Sequence, residues 1–173
     1  MDIKERQRAL RTTYASDPSA ALLTLSVRSA PSDLTDPLHC AVAPDSAGSG
    51  VLRSGAHAAV GGEGDAPCSA DLLLSALAAC QEVTLRMVAA DHGLELAEIQ
   101  VVAEGDWDAR GTLGMGPEFP VGLTAIRCTT SVRLAEEIDE ERAARFLKSA
   151  ERYCVILQTL RHAPPVESNV KIV

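Results

Sequence analysis

The stretch Ala66–Gly93, APCSADLLLSALAACQEVTLRMVAADHG, limits the possible folds more than any other part of the chain. Ser69 is a good N-cap, Asp71 falls in a first turn and Gly93 suits a C-cap, which predicts one helix over about residues 70–92. Leu72, Leu73, Leu74, Ala76, Leu77, Ala78 and Ala79 leave almost no polar face for two turns, and a helix apolar all round is surrounded by protein. The small residues Ser75, Ala76, Ala78 and Ala79 let neighbouring backbone come close. Gln81, Glu82, Thr84 and Arg86 then restore a polar face, so Cys80 sits where buried helix becomes accessible helix. Free cysteine is among the most buried residue types, and a small core hydrophobe is one reading of Cys80. A reactive thiol is the other. Cys80 lies about ten residues into the helix, beyond the reach of the helix dipole, so a thiolate there needs a cation or hydrogen-bond donors from elsewhere. Periodicity leaves both readings open.

A chain of 173 residues fits one domain over 1–173 and is long enough to bury a substantial core. Only 3% of residues are aromatic, so that core is expected to consist of Leu, Val, Ile and Ala. The net charge of −8 argues against nucleic acid or an anionic membrane as partner. The start, MDIKERQRALRTTYASDP, is charged and lacks the apolar run of a secretory signal, and the mostly apolar run Leu72–Cys80 is too short to span a bilayer. A soluble, cytoplasmic protein is the expectation. The five cysteines, Cys40, Cys68, Cys80, Cys128 and Cys154, are odd in number and widely scattered, with no CxxC pair. That pattern fits neither a disulfide framework nor a zinc site, and neither a metal nor a cofactor is expected.

Residues 2–14 read as a short helix. Leu23, Leu25 and Val27 alternate as a strand, as do Leu38, Cys40 and Val42 until Pro44, before the turn DSAGSG. A weaker strand signal at 51–60 precedes GGEGDAPC. After the long helix, a strand centred on Ile99, Val101 and Ala103 leads through the connection ARGTLGMGPEFP to another. There Ile126, Cys128, Thr130, Val132 and Leu134 share one face. A second helix starts at the N-cap Asp139 and carries an apolar stripe of Ala143, Leu147, Ala150, Cys154 and Leu157. Val155 follows Cys154, which lets this helix continue unbroken to Pro164 and Pro165, and VESNVKIV reads as a final strand. Strands grouped around two helices, without strict alternation, predict an α+β fold with antiparallel sheets.

GGEGDAPCSADLLLSALAAC, with AADHGLEL, VVAEGDWDARGTLG and AERYCVILQTL, resembles the OsmC/Ohr family of thiol-dependent hydroperoxide reductases. The resemblance is clearest over 51–173; residues 1–50 comprise an N-terminal extension and the first strands. It implies an OsmC-like α+β fold with sheets packed around the long helix, in an intertwined homodimer with active sites at the subunit interface. It further implies Cys80 as the peroxidatic and Cys154 as the resolving cysteine, with a small apolar organic hydroperoxide as substrate and an external dithiol as reductant. The chain departs from the family at three points. Ala70 stands where active reductases carry a glutamate, with Asp71 one residue late. The loop arginine that supports the thiolate has no direct counterpart, leaving Arg53 or a protonated His57 as candidates. Val155 replaces the proline after the second cysteine. The alternative is therefore a non-catalytic protein of the same fold that binds a small apolar ligand at the dimer interface.

The remaining candidates have plainer readings. Cys68 borders the helix start, where backbone amides can lower a thiol pKa. Cys40 and Cys128 are expected in the core and His39 on the exposed face of its strand. His92 suits the negative end of the long helix. GGEGDAP lacks the GK[ST] ending of a phosphate loop, and Trp107 is expected to pack at a strand end or subunit contact.

Overall fold

The computed structural model describes residues 3–46, 48 and 50–172, so the turn expected at 45–50 lies partly outside the described residues. The fold is mixed α+β, with antiparallel sheets and one long helix. Five α-helices are described: α1 (Ile3–Ser16), α2 (Ser69–His92), α3 (Ala109–Thr112), α4 (Glu140–Tyr153) and α5 (Val155–Arg161). Five strands are described: β1 (Val27–Ala30), β2 (His39–Pro44), β3 (Leu52–Gly55), β4 (Leu96–Asp106) and β5 (Ala125–Leu134). Contacts group the chain into two compact units, Met1–Ser75 with Ala103–Cys128, and Ala76–Val102 with Thr129–Val173.

In the first unit, β1, β2 and β3 form an antiparallel sheet in that order, with Arg28 opposite Ala43 and Cys40 opposite Ser54. The strand expected around Leu23 and Leu25 begins only at Val27. Val27 lies opposite Pro44, where β2 ends, so the residues before it have no ladder to join. Leu22, Leu23 and Leu25 are left exposed. The two faces of β2 are also the reverse of expectation: Cys40 is exposed, while the His39 ring is 13% exposed between carboxylates.

Several contacts tie the loop ahead of α2 to this sheet. Gly55 N–H and Ser54 Oγ–H both donate to the Pro67 carbonyl at 3.0 Å, and Arg53 pairs with Asp65. The glycines of GGEG make the loop possible: Gly61 takes φ +94°, and a Cβ on Gly62 would fall 1.8 Å from the Ala56 carbonyl oxygen. Asp71, rather than Ser69, closes the start of α2 by accepting the Cys68 amide at 2.8 Å, half of a capping box. At its far end Leu94 N–H reaches Ala89 O and Gly93 N–H reaches Ala90 O, with Gly93 at φ +66°. This is the paired-bond C-cap that the sequence anticipates.

β4 and β5 pair with each other; the Thr124 amide donates to Asp106 O at one end and Ala135 to Glu95 O at the other, so they run antiparallel. Burial alternates along both as expected, with Ile99, Val101 and Ala103 on one strand and Cys128, Thr130, Val132 and Leu134 on the other half-buried. The core of the second unit joins Leu85, Val88 and Ala89 of α2 to Phe146 and Ala150 of α4, flanked by Leu94, Leu96, Ile99 and Val132. One aromatic does enter this aliphatic core. Phe146 takes the place expected for Leu147, which is exposed, because the inward face steps from 143 to 146 to 150.

Two further expectations fail. The second helix does not run through Cys154 but breaks there, at φ −74° and ψ 102°, between α4 and α5. No proline is needed, because the freed carbonyl of Glu151 is taken by the Gln158 side-chain amide at 3.0 Å, while Arg161 pairs with the Glu151 carboxylate. The final strand is also absent: residues 163–172 carry no regular structure, and Val166, Val170 and Ile172 are exposed and pair with no strand. Taken over its full length, α2 is long and apolar enough to cross a membrane, although Leu72–Cys80 alone is not. Its second half, however, supplies core contacts and a Glu82–Arg86 ion pair.

Candidate active site

The two cysteines singled out by the resemblance both belong to the second unit, and neither is in a disulfide. Cys80 lies on α2 and is half-buried; Cys154, at the break between α4 and α5, is 0% exposed. α4, which leads into Cys154, packs on α2, which carries Cys80. Arg142 Nη2 donates to the His92 carbonyl at 3.1 Å, Phe146 meets the His92 ring at 6.3 Å, and Phe146 and Ala150 share one core cluster with Leu85, Val88 and Ala89. The start of α4 therefore lies against the C-terminal end of α2. Gln81, next to Cys80, is 8% exposed, and its Oε1 is buried without a partner among the described residues. A buried acceptor left unpaired is uncommon enough to need a reason, and nothing in the sequence pattern singled out this residue.

Arg53 and His57 belong to the first unit, and each has a partner of its own. The Arg53 guanidinium, on β3, donates to Asp65 Oδ2 at 2.7 Å. His57 opens a one-turn 3-10 helix, Ala58–Val60, where its Nδ1 accepts the Ala59 amide at 3.0 Å. That bond uses the Nδ1 lone pair, so the ring proton is on Nε2. The ring also meets Trp107 edge-on at 5.5 Å. Asp71, one residue from the family's glutamate position, is spent on the Cys68 amide.

A network around His39 escaped the sequence reading. Nδ1 bonds Asp36 Oδ2 and Nε2 bonds Asp65 Oδ1, both at 2.8 Å, and Arg53 shares Asp65. The hydrogen bonds to Asp65 and then Asp36 raise the His39 pKa above its ordinary value, and His39 in turn is the main cause holding Asp65 below the usual carboxylate range. Its signal was the spacing Asp36-x-x-His39, which brings carboxylate and ring together before β2. The network links β2, β3 and the loop that feeds α2.

Comparison with known proteins follows this geometry. No curated protein matches the sequence. Among solved structures, an OsmC-like protein from Mycoplasma pneumoniae is similar at a TM-score of 0.60 and 15% identity, over 82% of this chain and 89% of that one. An organic hydroperoxide resistance protein from Elizabethkingia anophelis is similar at a TM-score of 0.57 and 16% identity, covering 82% and 91%. One from Legionella pneumophila gives a TM-score of 0.51 and 19% identity, covering 81% and 90%. At these identities the likeness speaks for the fold. Residues 62–169 match the profile of the OsmC-like protein family, and by that match the chain belongs to it.

Proposed function

We propose that the protein is a thiol peroxidase that reduces organic hydroperoxides to alcohols through Cys80 and Cys154. The observation that carries this reading is the packing of α4 on α2: Ala150 shares their core, and Cys154 follows it by one turn, buried in the unit that also holds Cys80. The break at Cys154 also frees its backbone from helical geometry just where a second thiol has to move. In the reaction the Cys80 thiolate attacks the outer peroxide oxygen, and the O–O bond breaks. The alkoxide takes a proton and leaves as alcohol, and Cys80 becomes a sulfenic acid. Cys154 sulfur then attacks the sulfenic sulfur, expelling the oxygen as water and leaving a disulfide. An external dithiol returns both thiols. The hydroperoxide resistance proteins with this fold agree with the reading.

The working unit we propose is a homodimer. Along α2, Leu73, Ala76, Val83 and Met87 are exposed, and with Cys80 they recur at three- and four-residue steps, the spacing of a helix seam. The chain exposes 12710 Å², against about 8,100 Å² for a self-contained monomer of 18.2 kDa. A second copy laid on the seam covers the apolar surface and walls Cys80 with Leu and Ala, which favours alkyl over polar peroxides. Peroxide loss followed with cumene hydroperoxide and a dithiol tests the chemistry. Wild type is expected to turn over and Cys80→Ser to fall to background; equal, negligible rates for both contradict it.

A further inference from the structure

Three carboxylates gather around one imidazole in the first unit. One donor atom from each of His39, Glu63 and Asp65 lies within 4.8 Å of the others, and Asp36 holds the far side of the ring. Arg53 is the one lysine or arginine paired with this group among the described residues. Three negative charges against one positive leave the group at −2 while the imidazole is neutral. We infer that His39, Glu63 and Asp65 form a site for a single zinc ion, which ties β2 to the loop ahead of α2. The expectation of no metal rested on the spacing of cysteines, and these donors include no thiol.

The imidazole is held as a ligand is held. Its Nδ1 bonds Asp36 Oδ2 at 2.8 Å, and the other oxygen of Asp36 accepts the Leu38 amide at 2.8 Å, so this carboxylate is itself fixed. A carboxylate behind one ring nitrogen sets the tautomer of a metal-binding histidine, with the proton on Nδ1 and the lone pair on Nε2. Nε2 faces Asp65 Oδ1 at 2.8 Å, and two lone pairs that close repel unless a positive centre lies between them. A proton serves two such groups, whereas a metal ion serves three. Glu63 is the third: it has no hydrogen bond or ion pair among the described residues, yet one of its oxygens lies within 4.8 Å of both partners. Asp65 gives its other oxygen to Arg53, which leaves Oδ1 clear of the guanidinium. The ring is 13% exposed, and Gly55 makes room for it, since a Cβ there would fall 3.0 Å from its Cδ2. Tetrahedral ligands about 2.0–2.2 Å from zinc stand about 3.4 Å apart, so Nε2 and Oδ1 have only to part slightly. Glu63, flanked by Gly62 and Gly64, has only to swing inward. One imidazole nitrogen among carboxylate oxygens suits zinc, whereas calcium and magnesium take oxygen ligands.

The test uses the full chain, stripped with EDTA, dialysed and titrated with zinc chloride. In protein carrying nitrogen-15 histidine, zinc is expected to move the Nε2 resonance of His39 and leave the other three histidines in place. Titration calorimetry reads the affinity. Glu63→Gln keeps the size of an exposed side chain and removes its charge. Loss of a partner one shell further out costs about ten- to a hundredfold, so this variant is expected to weaken zinc at least about tenfold. Cys40→Ser, beside His39, is expected to bind as wild type does, which separates this site from an exposed thiol. Zinc uptake that leaves the His39 resonance unmoved overturns the inference, as does equal affinity in Glu63→Gln or loss of binding in Cys40→Ser.

Discussion

Both nitrogens of His39 are held by carboxylates, so the pH dependence of this one residue has a defined sign. Its pKa is raised above the ordinary value of 6.5, first by Asp65 and then by Asp36. A raised histidine contributes stability that is complete below pH 6.5 and disappears as pH rises through the folded value. The carboxylates act oppositely. Asp36 and Asp65 sit below their ordinary 3.8, so their share is present above that value and disappears as pH falls through the depressed ones. Arg53, paired with Asp65, and Glu63, close to the ring, are the other charged groups that face the network. The network is therefore strongest between pH 3.8 and 6.5. Urea midpoints are expected to fall above that window in the wild type and to stay level in His39→Asn; parallel profiles contradict the assignment. At this scale the sequence was partly legible. Gly93 as C-cap followed from position, whereas the cap by Asp71 and the inward turn of His39 depend on partners brought close only by folding.

Among the elements, the break at Cys154 is the most instructive. Valine after a helical cysteine permits continuation, and local pattern alone predicts one long helix. Tertiary and side-chain bonds decide otherwise: Gln158 and Arg161 reach back to Glu151, and Cys154 adopts an extended backbone. Val155 then occupies the first position of α5, where proline is favoured, and Cys154 already has a conformation suited to precede proline. The missing family proline thus changes little in the backbone. Val155→Pro is expected to leave stability within about 1 kcal/mol of wild type, read from urea unfolding. An unbroken helix instead loses about 3 kcal/mol or more. The strands show the converse limit. β4 and β5 were legible because each finds its partner in the chain, whereas Leu23–Leu25 and residues 166–172 carry an alternating pattern but pair with no strand.

For the whole molecule, the apolar surface of α2 is what the proposed dimer would cover. The sequence shows a helix apolar all round, and the single chain leaves Leu73, Val83 and Met87 exposed along it. Val83→Glu places a charge on that seam without touching the core of either unit. It is expected to convert dimer to monomer in sedimentation, and a wild-type monomer at micromolar concentration contradicts the assembly. The Cys80 and Cys154 assignments came from resemblance rather than periodicity, because a buried and a reactive cysteine leave the same mark on a helix. What the structure adds is that α4, which leads into Cys154, packs on α2. The most direct test is to treat the reduced protein with one equivalent of cumene hydroperoxide and map its disulfides by non-reducing peptide mass analysis. The account predicts a single Cys80–Cys154 disulfide within one chain, replaced in Cys154→Ser by a sulfenic acid at Cys80. A protein whose thiols all remain reduced, or a disulfide that omits Cys80, contradicts it.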